Sequence, residues 1–241
     1  MTRFKAFQTY FTDKQTCSGN CICTNFAVMY RTSLLCAFLF AAGFCGAQNN
    51  WKLKAESDGI KIFMAPVTGS RVKALKVECS FDATAARLVA VILDLDGCSE
   101  WVYHSKSNIL LKRISPAELY YYSEVDIPWP ANNRDFIAHL IVSQDKNSKV
   151  VTVDAPCVPD LVPEKKDIVR IRQSSGRWTI IPVNKTQVKI EYVLVVDPGG
   201  SIPAWIVNMF AAKGPMESFK KLKLQLQKPA YKDAHFDFIT E

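Results

Sequence analysis

The chain has 241 residues, 49% of them hydrophobic and 22% charged, with a formal net charge of +7. That balance belongs to a folded domain long enough to bury a core, and it excludes a disordered or low-complexity chain. Three of the net positive charges fall in residues 1–47 (Arg3, Lys5, Lys14 and Arg31 against Asp13), which leaves +4 on the rest, and no basic run with interleaved aromatics argues for nucleic-acid binding.

Met29-Tyr30-Arg31 precedes an apolar run, Leu34 to Phe44, that ends in Cys45-Gly46-Ala47-Gln48. A basic start, a short apolar core and small residues at −3 and −1 are the pattern of a secretory signal peptide, here cleaved after Ala47. Translation is then expected to begin at Met29, with residues 1–28 an extension, and the product to be exported, periplasmic or secreted in a bacterial host. The run is shorter than the ~20 residues a membrane-spanning helix needs. Five cysteines precede residue 48, but Cys17-x3-Cys21-x-Cys23 lacks a second ligand pair, so no metal is expected there. Cys79, Cys98 and Cys157 permit at most one disulfide in the body, with partners open.

From residue 48 the elements follow in order. Trp51–Ser57 is expected to be a helical or irregular lead-in, followed by a hairpin of Gly59–Val67 and Arg71–Phe81. A helix then opens, with Asp82 as its cap, Phe81 stapled onto Ala86, and Ala85, Leu88, Val89, Ile92 and Leu95 on the buried stripe, ending near Asp96-Gly97. A connection holding Trp101 leads to strands at 107–114, 118–126, 134–143, 148–155, 167–174, 176–183 and 187–196, divided by Pro, Gly, Asn and Asp clusters. Cys157–Lys166, with Pro159 and Pro163 inside it, is long enough for a flap. The last strand alternates most cleanly: Val188, Ile190, Tyr192, Leu194 and Val196 share one face. Ile202–Gln227 then carries Trp205, Ile206, Met209, Phe210, Met216, Phe219, Leu222 and Leu226 at helical three-and-four spacing, with a hinge expected at Gly214-Pro215. The fold class is α+β: about nine antiparallel strands curved around one long C-terminal helix, with residues 229–241 a tail.

Two segments give this order a family likeness. Asp126-Ile127-Pro128-Trp129-Pro130-Ala131-Asn132-Asn133-Arg134-Asp135-Phe136 and Asp197-Pro198-Gly199-Gly200-Ser201-Ile202-Pro203-Ala204-Trp205 resemble two motifs of the StAR-related lipid-transfer (START) domain: its Trp-Pro segment running into Arg-Asp-Phe, and its approach to the last helix. Trp101 and Gly176-Arg177-Trp178 match weaker positions, and the resemblance spans about residues 50–228. It implies a helix-grip fold of the START and Bet v 1 type in a bacterial, exported member. It also implies an apolar tunnel for one lipid, gated by the last helix, and no enzymatic activity, cofactor or metal. In several members an acidic residue and an Arg in the tunnel meet the ligand's polar end; Glu124 matches the acidic position, and Leu140 stands at the basic one.

The candidate ligand-binding residues are Tyr122, Glu124, Leu140, Val153, Ile171, Tyr192, Trp205, Met209 and Phe210. Arg134 and Asp135 point to opposite faces of their strand, and anchoring the Pro-rich turn suits them better than touching ligand. His104, His139 and His235 have no metal or acid–base spacing, and neither a nucleophile elbow nor a phosphate loop is present. The expected partner is a lipid or other small apolar molecule held by a monomer, with transient contact to a membrane surface and no nucleic acid. The rivals are a cyclase- or aromatase-like enzyme on the same fold and a non-lipid interaction module; the apolar inward parities favour binding over chemistry.

Overall fold

The computed structural model describes residues 51–69 and 72–241, and Trp51–Glu241 forms one unit. The N-terminal extension, the signal peptide with its Met29 start and Ala47 cleavage, and the five early cysteines lie outside the described residues. Cys79, Cys98 and Cys157 are free thiols.

The chain starts as a strand rather than an irregular lead-in. β1 (Lys52–Ser57) pairs antiparallel with β2 (Ile60–Pro66) across Asp58-Gly59, whose φ angles of 54° and 77° are those of a tight hairpin turn. β3 (Lys73–Phe81) completes the meander, and α1 (Ala85–Leu93) follows. Its cap is Thr84 and not Asp82: Thr84 Oγ1 accepts from Arg87 N at 3.1 Å, while Phe81 is still paired with Val188 in the sheet and Asp82 Oδ1 accepts from Gln187 Nε2. The remaining free amides of the first turn, Ala85 N and Ala86 N, donate to the Glu241 carboxylate. The tail therefore packs back onto the domain, a contact its sequence did not show.

α2 (Cys98–Trp101), a single turn, carries the chain to the opposite edge of the sheet. There β4 (Ser105–Ser115), β5 (Glu118–Val125), β6 (Arg134–Gln144) and β7 (Val151–Pro156) form a meander. The strand expected at 167–174 shrinks to β8 (Val169–Arg170), which pairs parallel with β6. The turn expected at Ser175-Gly176 is absent, and β9 (Gln173–Asn184) runs through it. Gly176 faces Tyr192, whose hydroxyl would lie 3.4 Å from a Cβ at that position, an ordinary van der Waals contact. β10 (Gln187–Asp197) closes on β3, giving a ten-stranded sheet in the order β1-β2-β3-β10-β9-β7-β6-β5-β4, with β8 beside β6.

The C-terminal helix consists of α3 (Ala204–Asn208), a π-helical turn (Met209–Lys213) and α4 (Gly214–Gln225). The expected hinge at Gly214-Pro215 is thus a widened turn in an unbroken helix. Gly214 N donates five residues back, to Met209 O, and the extra room accommodates the Pro215 ring, which has no N–H to give and crowds a normal α-turn. Along α4, Phe219 and Leu222 face the sheet and Lys220, Lys221 and Lys223 face outward. Phe219 stacks on Trp178 of β9 with ring centroids 5.3 Å apart.

Two arginines fasten the loops at one end of the sheet. Arg170 and Asp135, both about 1% exposed, form a bidentate pair with Nε–Oδ1 2.7 Å and Nη2–Oδ2 3.0 Å. Arg170 also donates to the carbonyls of Pro159, Val162 and Pro163, so the Pro-bearing loop is bolted to the sheet and is no free flap. Arg134 points the other way and donates to the carbonyls of Asn132, Pro198 and Gly199, securing the segment that leads into α3. Asp135→Ala leaves the buried Arg170 guanidinium without its counter-charge, so urea unfolding should show a loss of about 3–5 kcal/mol. A loss below about 1 kcal/mol would show that the pair holds nothing.

Candidate functional site

The sheet and the C-terminal helix do not fill the space between them. A cavity of about 250 Å³ remains. Tyr121, Ser123, Phe136, Leu140, Trp178 and Tyr192 belong to its sheet side; Trp101, Tyr103, Phe210, Ser218 and Phe219 close it from the connection and the helix. Trp178 is the centre of the aromatic wall, with its ring 4.4 Å from Tyr192, 5.3 Å from Phe219 and 6.2 Å from Trp101 between centroids.

Over this wall the π-turn is pinned by aromatics. Phe210 meets Tyr103 and His104 edge-on, each at 5.6 Å. Gly214 permits the approach, since a Cβ there would lie 2.9 Å from Tyr103 Cδ1. Tyr103 N donates to Ser218 Oγ at 2.9 Å, a second tie between the connection and the helix.

Of the residues expected to bind ligand, Leu140, Val153, Tyr192 and Phe210 border the cavity. Tyr122 and Glu124 lie on the other face of β5, which is opposite to the expectation. Lys165 Nζ is 4.1 Å above the Tyr122 ring. The Glu124 carboxylate accepts from Lys106 Nζ at 2.8 Å and Asn133 Nδ2 at 2.9 Å. Burial raises the Glu124 carboxyl, but these donors outweigh it and hold the group below its ordinary value. Ile171 is buried beside the Pro-bearing loop, where its N–H donates to Asp135 O. Trp205 is half exposed on α3, and Met209, on the π-turn, does not line the cavity.

The β5 parity fails for a physical reason. Leu-Tyr-Tyr-Tyr-Ser-Glu has no alternation because both faces of the strand are covered, one by the cavity and helix, the other by the bolted loop. The residues this hid are Tyr121 and Ser123, together with Asn108 on β4. Ser123 Oγ donates to Asn108 Oδ1 at 2.9 Å, and Asn108 Nδ2 donates to Ser105 Oγ at 2.8 Å, so a short polar chain crosses a lining whose other side-chain oxygens and nitrogens are Ser218 Oγ, the tyrosine hydroxyls and the unpartnered Trp101 Nε1. No sequence signal marks it beyond three polar residues on neighbouring strands.

Burial keeps three titratable groups of the lining neutral. Burial raises the Tyr121 and Tyr192 phenols far above their ordinary range and pushes the Cys98 thiol up to about 12. A thiol in that condition is neither nucleophile nor metal ligand at neutral pH. Among the described residues, no group of three or more His, Cys, Asp or Glu could hold a metal ion.

Comparison with known proteins agrees with this geometry. The START domain profile matches residues 34–232. The chain is 29% identical over 198 residues to an uncharacterized protein of Pseudomonas aeruginosa, covering 82% of this chain and 97% of that one. It is 28% identical over 190 residues to the phosphatidylcholine transfer protein of Mus musculus, covering 77% of this chain and 86% of that one. The crystal structure of a STAR-related lipid transfer protein from Xanthomonas axonopodis superposes with a TM-score of 0.67 at 31% identity, over 74% of this chain and 99% of that one.

The placement of Leu140 and Glu124 on opposite faces is testable by titration with a fluorescent fatty-acyl probe. Leu140→Glu puts a carboxylate into the cavity and should weaken binding about tenfold or more, while Glu124→Gln should leave it within about twofold. The reverse order of effects would put the site on the other face of β5.

Proposed function

The chain belongs to the START domain family, and from that premise we propose that it binds one lipid or other small hydrophobic molecule in its cavity and carries it, without chemistry. The observation that carries this reading is the cavity itself, which lies between sheet and helix and is walled largely by aromatic and aliphatic side chains. The neutral phenols and thiol support a carrier over a cyclase or aromatase, which needs groups poised to move protons.

The size of the cavity supports a moving helix. Its volume, about 250 Å³, exceeds the ~150 Å³ that holds benzene but falls just short of the ~300–1,000 Å³ of drug-sized pockets. A ring system or part of one chain fits this volume; a two-chain lipid needs α3 and the π-turn displaced. The π-turn is the place for that motion, because its wide hydrogen bonds and Pro215 make it the least regular part of the helix.

Loading and unloading are proposed to occur at a membrane surface. Trp129 is 88% exposed in the β5–β6 loop, Leu161 is exposed in the Pro-bearing loop, and Trp205 and Val207 are exposed on α3. Arg134, Arg170 and the Asn133–Val169 backbone hydrogen bond draw these three segments to one end of the domain. Exposed Trp beside basic Lys165 and Lys166 suits the interfacial zone of an anionic bilayer. The signal-like run ahead of Ala47 supports work outside the cytoplasm.

Native mass spectrometry of protein purified from its own host should show one bound apolar molecule per chain, and the emptied protein should take up lipid from vesicles. Absence of both would remove the carrier reading. Replacing Gly214-Pro215 by Ala-Ala should change the rate of lipid exchange several-fold with little effect on equilibrium binding, because it alters the widened turn and presses a methyl on Tyr103. An unchanged rate would mean that the helix moves as one piece.

A further inference from the structure

The lining of the cavity restricts its cargo more than the fold does. Among the described residues, none that walls it is Asp, Glu, Lys, Arg or His. A phosphate or quaternary ammonium group moved into such a space leaves water without gaining a counter-charge, and that is strongly disfavoured. The ionic groups near this end of the domain are committed elsewhere: Arg170 to Asp135, Arg134 to three backbone carbonyls, and Glu124 to Lys106 and Asn133.

The cavity is nevertheless not a hydrocarbon space throughout. In the chain Ser123–Asn108–Ser105, Asn108 spends its carbonyl oxygen on Ser123 and one N–H on Ser105. The hydroxyl proton of Ser105, the second amide proton of Asn108 and the lone pairs of Ser123 Oγ have no partner among the described residues. Tyr121 lies two residues before Ser123 on the same face of β5, and its hydroxyl likewise makes no hydrogen bond among them. Polar atoms inside a folded protein are normally paired, so a cluster of neutral donors and acceptors facing free volume marks where a ligand's polar end belongs.

We propose that the cargo is an uncharged molecule, apolar except for one oxygen-bearing end such as a hydroxyl, carbonyl or ester, and that this end seats against Ser105, Asn108 and Ser123. The proposal rests on the carrier reading and narrows it to a ligand class. Because burial keeps the Tyr121 phenol protonated, the same donors are offered across the physiological pH range. Recognition by hydroxyl and amide groups tolerates different acyl chains and rejects ionic head groups, a different selection from one made by a buried charge pair.

The test uses the full chain, incubated with vesicles of phosphatidylcholine and phosphatidylglycerol that contain monoacylglycerol and diacylglycerol of the same chain length. The protein is re-isolated and its lipid extracted and quantified. The uncharged lipids should be enriched about tenfold or more over both phospholipids relative to the vesicle composition. Phospholipid recovered in proportion to its abundance would overturn the proposal while leaving the carrier reading intact, and no lipid of any kind would overturn both. A second variant isolates the polar chain: Asn108→Leu, with folding checked by its thermal transition, should weaken monoacylglycerol binding about two- to tenfold and leave binding of pyrene unchanged. Equal loss of both probes, or loss of neither, would mean that the oxygen-bearing end does not seat there.

Discussion

Adjacent residues of a β-strand point to opposite faces, and this constraint organises the functional end of the domain. Arg134 and Asp135 open β6 side by side. The first secures the segment leading into the C-terminal helix through the carbonyls of Pro198 and Gly199. The second holds Arg170, which in turn gathers the carbonyls of Pro159, Val162 and Pro163. One dipeptide therefore fixes both the approach to the C-terminal helix on the cavity side and the cover on the opposite face. The buried ion pair costs desolvation, but its bidentate geometry and the carbonyls around the guanidinium offset that cost.

With those loops fixed, the cavity follows from the helix. Phe219 stacked on Trp178 seats α4 against the sheet, while the widened turn at Met209–Lys213 lifts the preceding stretch into a looser arrangement held by Phe210, Tyr103 and His104. A packed anchor and a less regular half meet at Gly214, whose missing Cβ lets Tyr103 approach.

How much of this could be read from the sequence depended on whether one face of each element met water. β10, with Gln187, Lys189 and Glu191 opposite its apolar face, gave away its orientation, and Tyr192 was placed correctly at the cavity. β5 is covered on both sides, so its parity was invisible and Tyr122 and Glu124 were assigned to the wrong face. The antiparallel sheet and the long final helix are legible from period and turn chemistry, and Arg134 anchors the Pro-rich turn as expected, whereas Asp135 holds Arg170 and a different loop. β1 replaces the expected irregular lead-in although Asp58-Gly59 is a strong hairpin signal, and Gly176 reads as a turn because a glycine inside a strand gives the same sequence signal as one required by φ. The π-turn left only Pro215 as its trace. The contact of Glu241 with the start of α1 left none, since nothing local records a partner so distant in the chain.

The central claim is that ligand occupies the space between the sheet and the C-terminal helix. Photo-crosslinking with a lipid carrying a diazirine in its acyl chain, followed by peptide mapping, tests it most directly. The label should fall on peptides that contain Trp178, Tyr192 and Phe219. A label confined to Trp129, Trp205 and their exposed neighbours would place the lipid on the surface and contradict the account.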